Sequence, residues 1–206
     1  MSKTKQNILE KALELFNENG LGETSLRQIA TALNMSQGNL TYHFKHKQEI
    51  VHTLYYQLVE NLNQEMAKTI QPQSLLLAMF QSSGTMMHQL YAYRFFMRDF
   101  YLIMKESPEI KQHYQQLQTQ RNNEFMQFFT MLQIMGMIRD PLFEGEYERF
   151  YQRMNILGDN WINAQELLNS EMENPVRYYQ ELLFEVIYPY LTEKGREEYE
   201  LVLRMG

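Results

Sequence analysis

Residues 25–50 read SLRQIATALNMSQGNLTYHFKHKQEI, and two short helical patterns meet there across a link of only three residues. Leu26, Ile29, Ala30 and Leu33 recur at the spacing of one apolar helix face. Ser25 followed by Gln28 is a capping box, in which each side chain accepts the other residue's otherwise free backbone N–H. Asn34 tolerates the left-handed conformation that ends a helix, and Ser36 is placed to cap a second helix from Gln37 to about Phe44. So short a link makes the second helix cross the first steeply. Met35, Leu40 and Phe44 then pack back on Leu33 and Ile29, while Gln37, Gly38, Asn39, Thr41, Tyr42 and His43 face outward. Amide, hydroxyl and aromatic groups on an exposed helix suit the reading of base edges and the holding of phosphates, and the small Gly38 permits close approach.

Working outward, the segment from Lys3 to Asn19 predicts a helix that buries Ile8, Leu9, Ala12, Leu13 and Phe16 and stops at Asn19-Gly20. After the outward-facing helix comes a linking helix from Lys47 to about Thr69, with Ile50, Val51, Leu54, Tyr55, Leu58, Leu62 and Met66 at helical spacing. Its first turn, beside Lys45 and Lys47, offers free N–H groups to a phosphate. Gln71-Pro72-Gln73 marks a break. Beyond it the pattern predicts helices at about 72–91, 93–105, 108–135, 144–170, 175–191 and 193–205, with Pro189 kinking or ending the fifth of these. No stretch alternates with period two for long enough to form a sheet, so the fold class is all-α.

Composition narrows the function. With 206 residues and 44% hydrophobic content the chain can build one large or two modest domains. Zero cysteines exclude disulfides, thiolate nucleophiles and cysteine zinc sites. Apolar runs such as Leu75–Phe80 are far shorter than a membrane span and Met1–Glu10 is too polar for a signal peptide, so a soluble cytoplasmic protein is expected. The net charge of −6 is unevenly spread: residues 1–50 carry six cations against five anions, and the remainder 13 against 20. Glu10, Glu14 and Glu18 share one stripe, leaving Arg27, Lys45 and Lys47 free to face a polyanion.

The residues that carry a resemblance are ILEKALELF at 8–16, Gly20, TSLRQIA at 24–30, MSQG at 35–38 and LTYHFKHK at 40–47, followed by Glu49 and Ile50. In this order they resemble the TetR (TetR/AcrR) type of bacterial transcriptional repressor, over about a quarter of the chain. Asn34 stands where a glycine is common, and Thr41 where a tyrosine commonly touches a phosphate, so that contact passes to a hydroxyl. The resemblance implies a three-helix helix-turn-helix DNA-binding domain at residues 1–47 and a larger helical effector-binding and dimerisation domain at 48–206. It implies a homodimer on a palindromic double-stranded operator, released by a small, largely apolar effector, with no cofactor and no enzymatic activity. The expected DNA-contacting set is Arg27, Ser36, Gln37, Gly38, Asn39, Thr41, Tyr42, His43 and Lys47.

The second domain is rich in aromatic residues and methionine, which line apolar cavities as readily as they fill cores. His88, Arg94, Met97, Arg98, Tyr101, Phe125, Phe129 and Trp161 are the candidate effector residues, with Arg94 and Arg98 one turn apart as a carboxylate clamp or, equally, paired with acids at the surface. Two broad apolar faces, Tyr147, Phe150, Tyr151, Met154, Leu157, Trp161 and Leu168 on one helix and Val176, Tyr179, Leu183, Val186 and Tyr190 on the next, either meet their symmetry mates or are consumed within one subunit. Competing functions are a partner-binding protein that keeps the fold without binding DNA, and a metal-dependent enzyme built on His43, His46 and Glu49. The helix break near Phe44 argues against the latter, and no nucleophile elbow or phosphate-binding glycine loop is present.

Overall fold

The computed structural model describes residues 2–67 and 74–205, which form helices joined by short turns and one isolated antiparallel bridge between Ile138 and Leu191. The break expected at residues 71–73 lies outside the described residues. The chain groups into two compact units, one of residues 1–63 with 89–112 and one of 64–88 with 113–206.

In the first unit, α1 (Lys3–Asn19) begins where Ser2 accepts the Lys5 N–H at 3.3 Å and ends at Gly20, whose φ of 85° is open to glycine. It buries Ile8, Leu9, Ala12 and Phe16, with Leu13 only half-buried and Asn17 buried instead. The capping box of α2 (Leu26–Ala32) is complete, with Ser25 Oγ and Gln28 Oε1 both engaged. Asn34 sits at φ 52°, and α3 (Gln37–His43) starts where Ser36 Oγ accepts the Asn39 N–H at 3.1 Å. α4 (Lys47–Ala67) buries Ile50, Val51, Leu54, Tyr55, Leu58 and Leu62. Met66, expected on the same face, is 43% exposed.

The segment expected as one helix from 93 to 105 is two: α6 (Arg94–Arg98) and α7 (Phe100–Glu106), which follow α5 (Leu75–Ala92). The break falls at Asp99, whose carboxylate accepts the Leu21 N–H in the turn after α1 at 3.2 Å. An aspartate that bonds a distant backbone group forgoes little by leaving a helix it favours weakly.

The second unit centres on α8 (Pro108–Ile134) and α9 (Glu146–Leu168), where Phe125, Phe129, Tyr147, Phe150 and Tyr190 pack ring on ring. α10 (Pro175–Glu185) stops early and gives way to a 3-10 turn at Tyr188–Tyr190. Pro189 has no N–H, and its ring would collide with the carbonyl of Glu185 in a continued helix. Phe184 from α10 stacks on Tyr199 of α11 (Glu193–Met205), centroids 4.7 Å apart. Of the two outcomes open for the faces of α9 and α10, most of their residues follow packing within the chain: Tyr147, Phe150, Trp161, Val176, Tyr179, Leu183 and Tyr190 are all buried. Leu168, expected on the α9 face, is instead exposed at the end of the helix, and Ile156 and Leu167 on another face of α9 and Tyr178 on α10 are exposed too.

One end of this unit is locked by an ion pair. Arg139 bonds Glu146 through both guanidinium nitrogens, at 2.9 and 2.8 Å, and Glu146 also accepts the Leu142 N–H. These donors hold the Glu146 carboxyl down at about 2 from an ordinary value of 4.5. Because the folded value is the lower one, this stabilisation is present above about pH 4.5 and lost as pH falls toward 2. Glu146→Gln should therefore melt below the wild type at pH 7, with the difference closing in melts near pH 2.5; a constant difference across that range would refute the assignment.

Candidate nucleic-acid interface

The two short helices α2 and α3 present one exposed surface. Arg27, Ser36, Gln37, Gly38 and Asn39 are exposed, Tyr42 is 83% exposed, and Thr41 and His43 are half-buried beside it. Leu40 and Phe44, on the opposite side of the same helix, are buried. α3 packs on α2 and α2 on α1, so the outward face is fixed by apolar contacts and by two side-chain caps. The Tyr42 and His43 rings meet edge to face at 5.2 Å. Thr41 turns its hydroxyl back to the Gly38 carbonyl at 3.1 Å. A Cβ added at Gly38 would meet no atom within 4 Å, so packing inside the chain does not demand a glycine there.

Lys47 is not an ordinary surface lysine. Its ammonium donates to the carbonyls of Leu21 at 2.6 Å and Thr24 at 3.0 Å, tying the first turn of α4 to the turn between α1 and α2. One of its three donors is left for an outside group. Lys45 is exposed, and its backbone N–H bonds Glu49 at 3.2 Å.

The candidate effector residues divide between the units. In the first, Met97 is buried, Arg94 lies over the Tyr91 ring at 5.3 Å, and Arg98 donates to the Asn17 carbonyl at 2.6 Å. The two arginines thus take separate partners, and Tyr101 is 79% exposed. In the second, His88 is exposed, Phe125 and Phe129 stack at 4.6 Å, and the buried Trp161 packs on Tyr179 at 5.4 Å.

Sequence reasoning missed Asn17. Its amide donates to the Ala92 carbonyl at 2.8 Å and its oxygen accepts the buried Phe95 N–H at 3.0 Å, which fastens α6 to α1. The sole hint in the sequence is an amide four residues after Leu13, at the edge of an apolar stripe.

Residues 8–54 match the family model described as bacterial regulatory proteins of the tetR family, and residues 57–199 match one described as a bacterial transcriptional repressor. Over 47 residues, 23% of this chain, the sequence is 43% identical to the HTH-type transcriptional regulator AcrR of Shigella flexneri and covers 22% of it. Over 55 residues, 27% of this chain, it is 33% identical to the probable acrEF/envCD operon repressor of Escherichia coli strain K12 and covers 25% of it. The alignments thus span about a quarter or less of those curated relatives. A TetR-family transcriptional regulator from Marinobacter aquaeolei VT8 superposes with a TM-score of 0.82 at 25% identity, over 99% of this chain and 97% of that one. The ketosteroid transcriptional regulator KstR2 of Mycobacterium tuberculosis shares the fold, with a TM-score of 0.68 at 18% identity over 94% of this chain and 97% of its own.

Proposed function

The chain belongs to the TetR family of bacterial transcriptional regulators, and from that premise we propose that it is a DNA-binding repressor, released from a palindromic operator by a small, largely apolar effector. The observation that carries this reading is the face of α3. Six polar or small residues, Gln37 to Asn39 and Thr41 to His43, stand on a helix held by its buried side, with Gln37, Gly38, Asn39 and Tyr42 exposed and Thr41 and His43 half-buried. Residues 1–47 supply the DNA contacts and 48–206 the effector site and the dimer contacts. The protein acts as a homodimer whose half-site centres lie about 34 to 36 Å apart or somewhat more. Selection of bound sequences from a random DNA pool, followed by binding at increasing salt, tests this. A palindromic consensus and a steep fall in affinity with salt are expected, and salt-independent or absent binding would overturn it.

Within the interface the roles separate. Gln37→Ala or Asn39→Ala should cost about 1 to 3 kcal/mol at particular base pairs, whereas Lys45→Ala should weaken all sequences alike and lower the salt slope by about one. Gly38→Ala should leave the melting temperature unchanged or slightly higher, since nothing in the chain meets the added methyl, yet weaken operator binding by blocking close approach. Lys47→Ala should lower both stability and affinity, because two of its donors serve the fold. Equal losses on specific and random DNA for every variant would refute the division.

The effector acts by favouring a conformation in which α4 tilts and draws the two recognition helices apart. Coupling of this kind is typically about 1 to 3 kcal/mol, or roughly 5- to 150-fold in operator affinity, and it is reciprocal. Calorimetry should therefore show operator DNA weakening effector binding by the same factor; an effector that left operator affinity unchanged would end the sensing half of the proposal.

A further inference from the structure

Between α8 and α9 the second unit holds a line of polar side chains to which DNA binding gives no task. The Tyr151 hydroxyl donates to the Gln118 side-chain carbonyl at 3.3 Å, the Gln118 amide donates to the Tyr114 oxygen at 2.6 Å, and the Tyr114 hydroxyl donates to Asp159 Oδ2 at 3.2 Å. Each donor points the same way along the line, which ends on a carboxylate. The other oxygen, Asp159 Oδ1, takes no hydrogen bond from a described residue. Arg121 is the cation whose field reaches this carboxyl, and the Tyr114 bond assists it. Burial outweighs both and leaves the Asp159 carboxyl above its usual range, so the negative charge is under-compensated where it stands.

There is room beside it. Gly158 lies two turns beyond Tyr151 on the same face of α9 and is buried, yet a Cβ added there would meet no atom within 4 Å. A packed helix crossing would fill that position. Aromatic faces adjoin the same stretch, with Phe125 at 4.9 Å from Tyr151.

We propose that this niche, formed by Tyr114, Gln118, Tyr151, Gly158 and Asp159, takes the ammonium group of a small apolar amine, and that cationic amphiphiles are the effector class. The proposal rests on the reading of residues 48–206 as effector-binding. Asp159 supplies the opposite charge and a free acceptor, the phenol rings offer electron-rich faces to a cation, and the missing side chain at 158 admits the first methylenes of the tail. A carboxylate ligand would bring a second anion against Asp159. An alcohol would offer the hydrogen bond without the charge.

Calorimetry on the full chain with hexylamine, hexanol and hexanoate as probes tests this. Hexylamine should bind at least about tenfold more tightly than hexanol, and hexanoate more weakly than either. Asp159→Asn should bring hexylamine down to the level of hexanol. Gly158→Ala should weaken hexylamine several-fold while its melting temperature holds or rises. Hexanol binding as tightly as hexylamine, an Asp159→Asn variant that keeps the preference for the amine, or no binding of the amine would each overturn the proposal. Operator affinity of the ligand-free protein, measured on the same samples, separates the two readings. Operator binding without a preference for the amine sinks this inference alone, whereas loss of operator binding sinks the repressor reading and leaves the amine result standing.

Discussion

Asn17→Ala should lower the stability of the protein by about 2 to 4 kcal/mol, more than its small change in volume warrants. Asn17 is 8% exposed, and its side chain holds the Phe95 N–H at 3.0 Å and the Ala92 carbonyl at 2.8 Å. The first of these bonds is buried, and an N–H left there without an acceptor costs about 1 to 3 kcal/mol. Ala92 lies at the surface, so water recovers part of the second bond, and its loss adds about 1 kcal/mol. For a chain of this size each kcal/mol moves the melting temperature by about 2 to 4 °C, so a drop of about 4 to 16 °C is expected by calorimetry. Asn17→Asp sharpens the test, because its size is nearly the same. An ionised aspartate still accepts from Phe95 but sets an oxygen against the Ala92 carbonyl, and it too should melt low. If both variants melted within 1 °C of the wild type, Asn17 would not be what fastens α6 to α1.

The contrast between Asn17 and Ser25 shows which parts of the molecule the sequence discloses. The capping box at Ser25 and Gln28, the left-handed Asn34 and the cap at Ser36 are complete within a few residues, so their chemistry is visible in the string itself. The partners of the Asn17 and Asp99 side chains lie 75 to 78 residues away, and no local pattern announces them. The same distance problem hides the role of Lys47, which reads as a phosphate ligand but spends two donors on the turn at 21–24. On α9 and α10 periodicity marks the apolar faces without saying what covers them. Tyr190, carried back by the turn at Pro189, and Phe125 from α8 do so from within the chain. For the candidate effector set, rings and methionines mark two separate cores equally well. The polar line ending at Asp159 appears only when α8 is laid against α9.

Gly195→Ala should be the most damaging single methyl in the second unit. The first turn of α11 passes so close to the segment at 136–138 that a Cβ at 195 would lie 2.1 Å from the Met137 carbonyl oxygen, and a backbone atom cannot swing aside. That carbonyl already accepts from the Thr192 N–H at 3.0 Å, while the Thr192 hydroxyl bonds the Gly136 carbonyl at 2.7 Å and caps the Gly195 N–H at 3.2 Å. Relieving the clash means lifting α11 off these partners. Overpacking costs about 1 to 3 kcal/mol, and straining these hydrogen bonds without breaking them costs about 2 kcal/mol together. The better helix propensity of alanine returns up to about 1 kcal/mol. A net loss of about 2 to 4 kcal/mol follows, or about 4 to 16 °C in melting temperature. Tyr199 and Val202, which α11 contributes to the core, would be drawn out with it, so the near-ultraviolet signal of Tyr199, which stacks on Phe184, should weaken as well. Gly158→Ala is the internal control: it also adds one methyl to a buried helical glycine, but with no neighbour within 4 Å it should melt at or above the wild type. Equal effects of the two substitutions would mean that the close passage of α11 over Met137 does not require glycine at position 195.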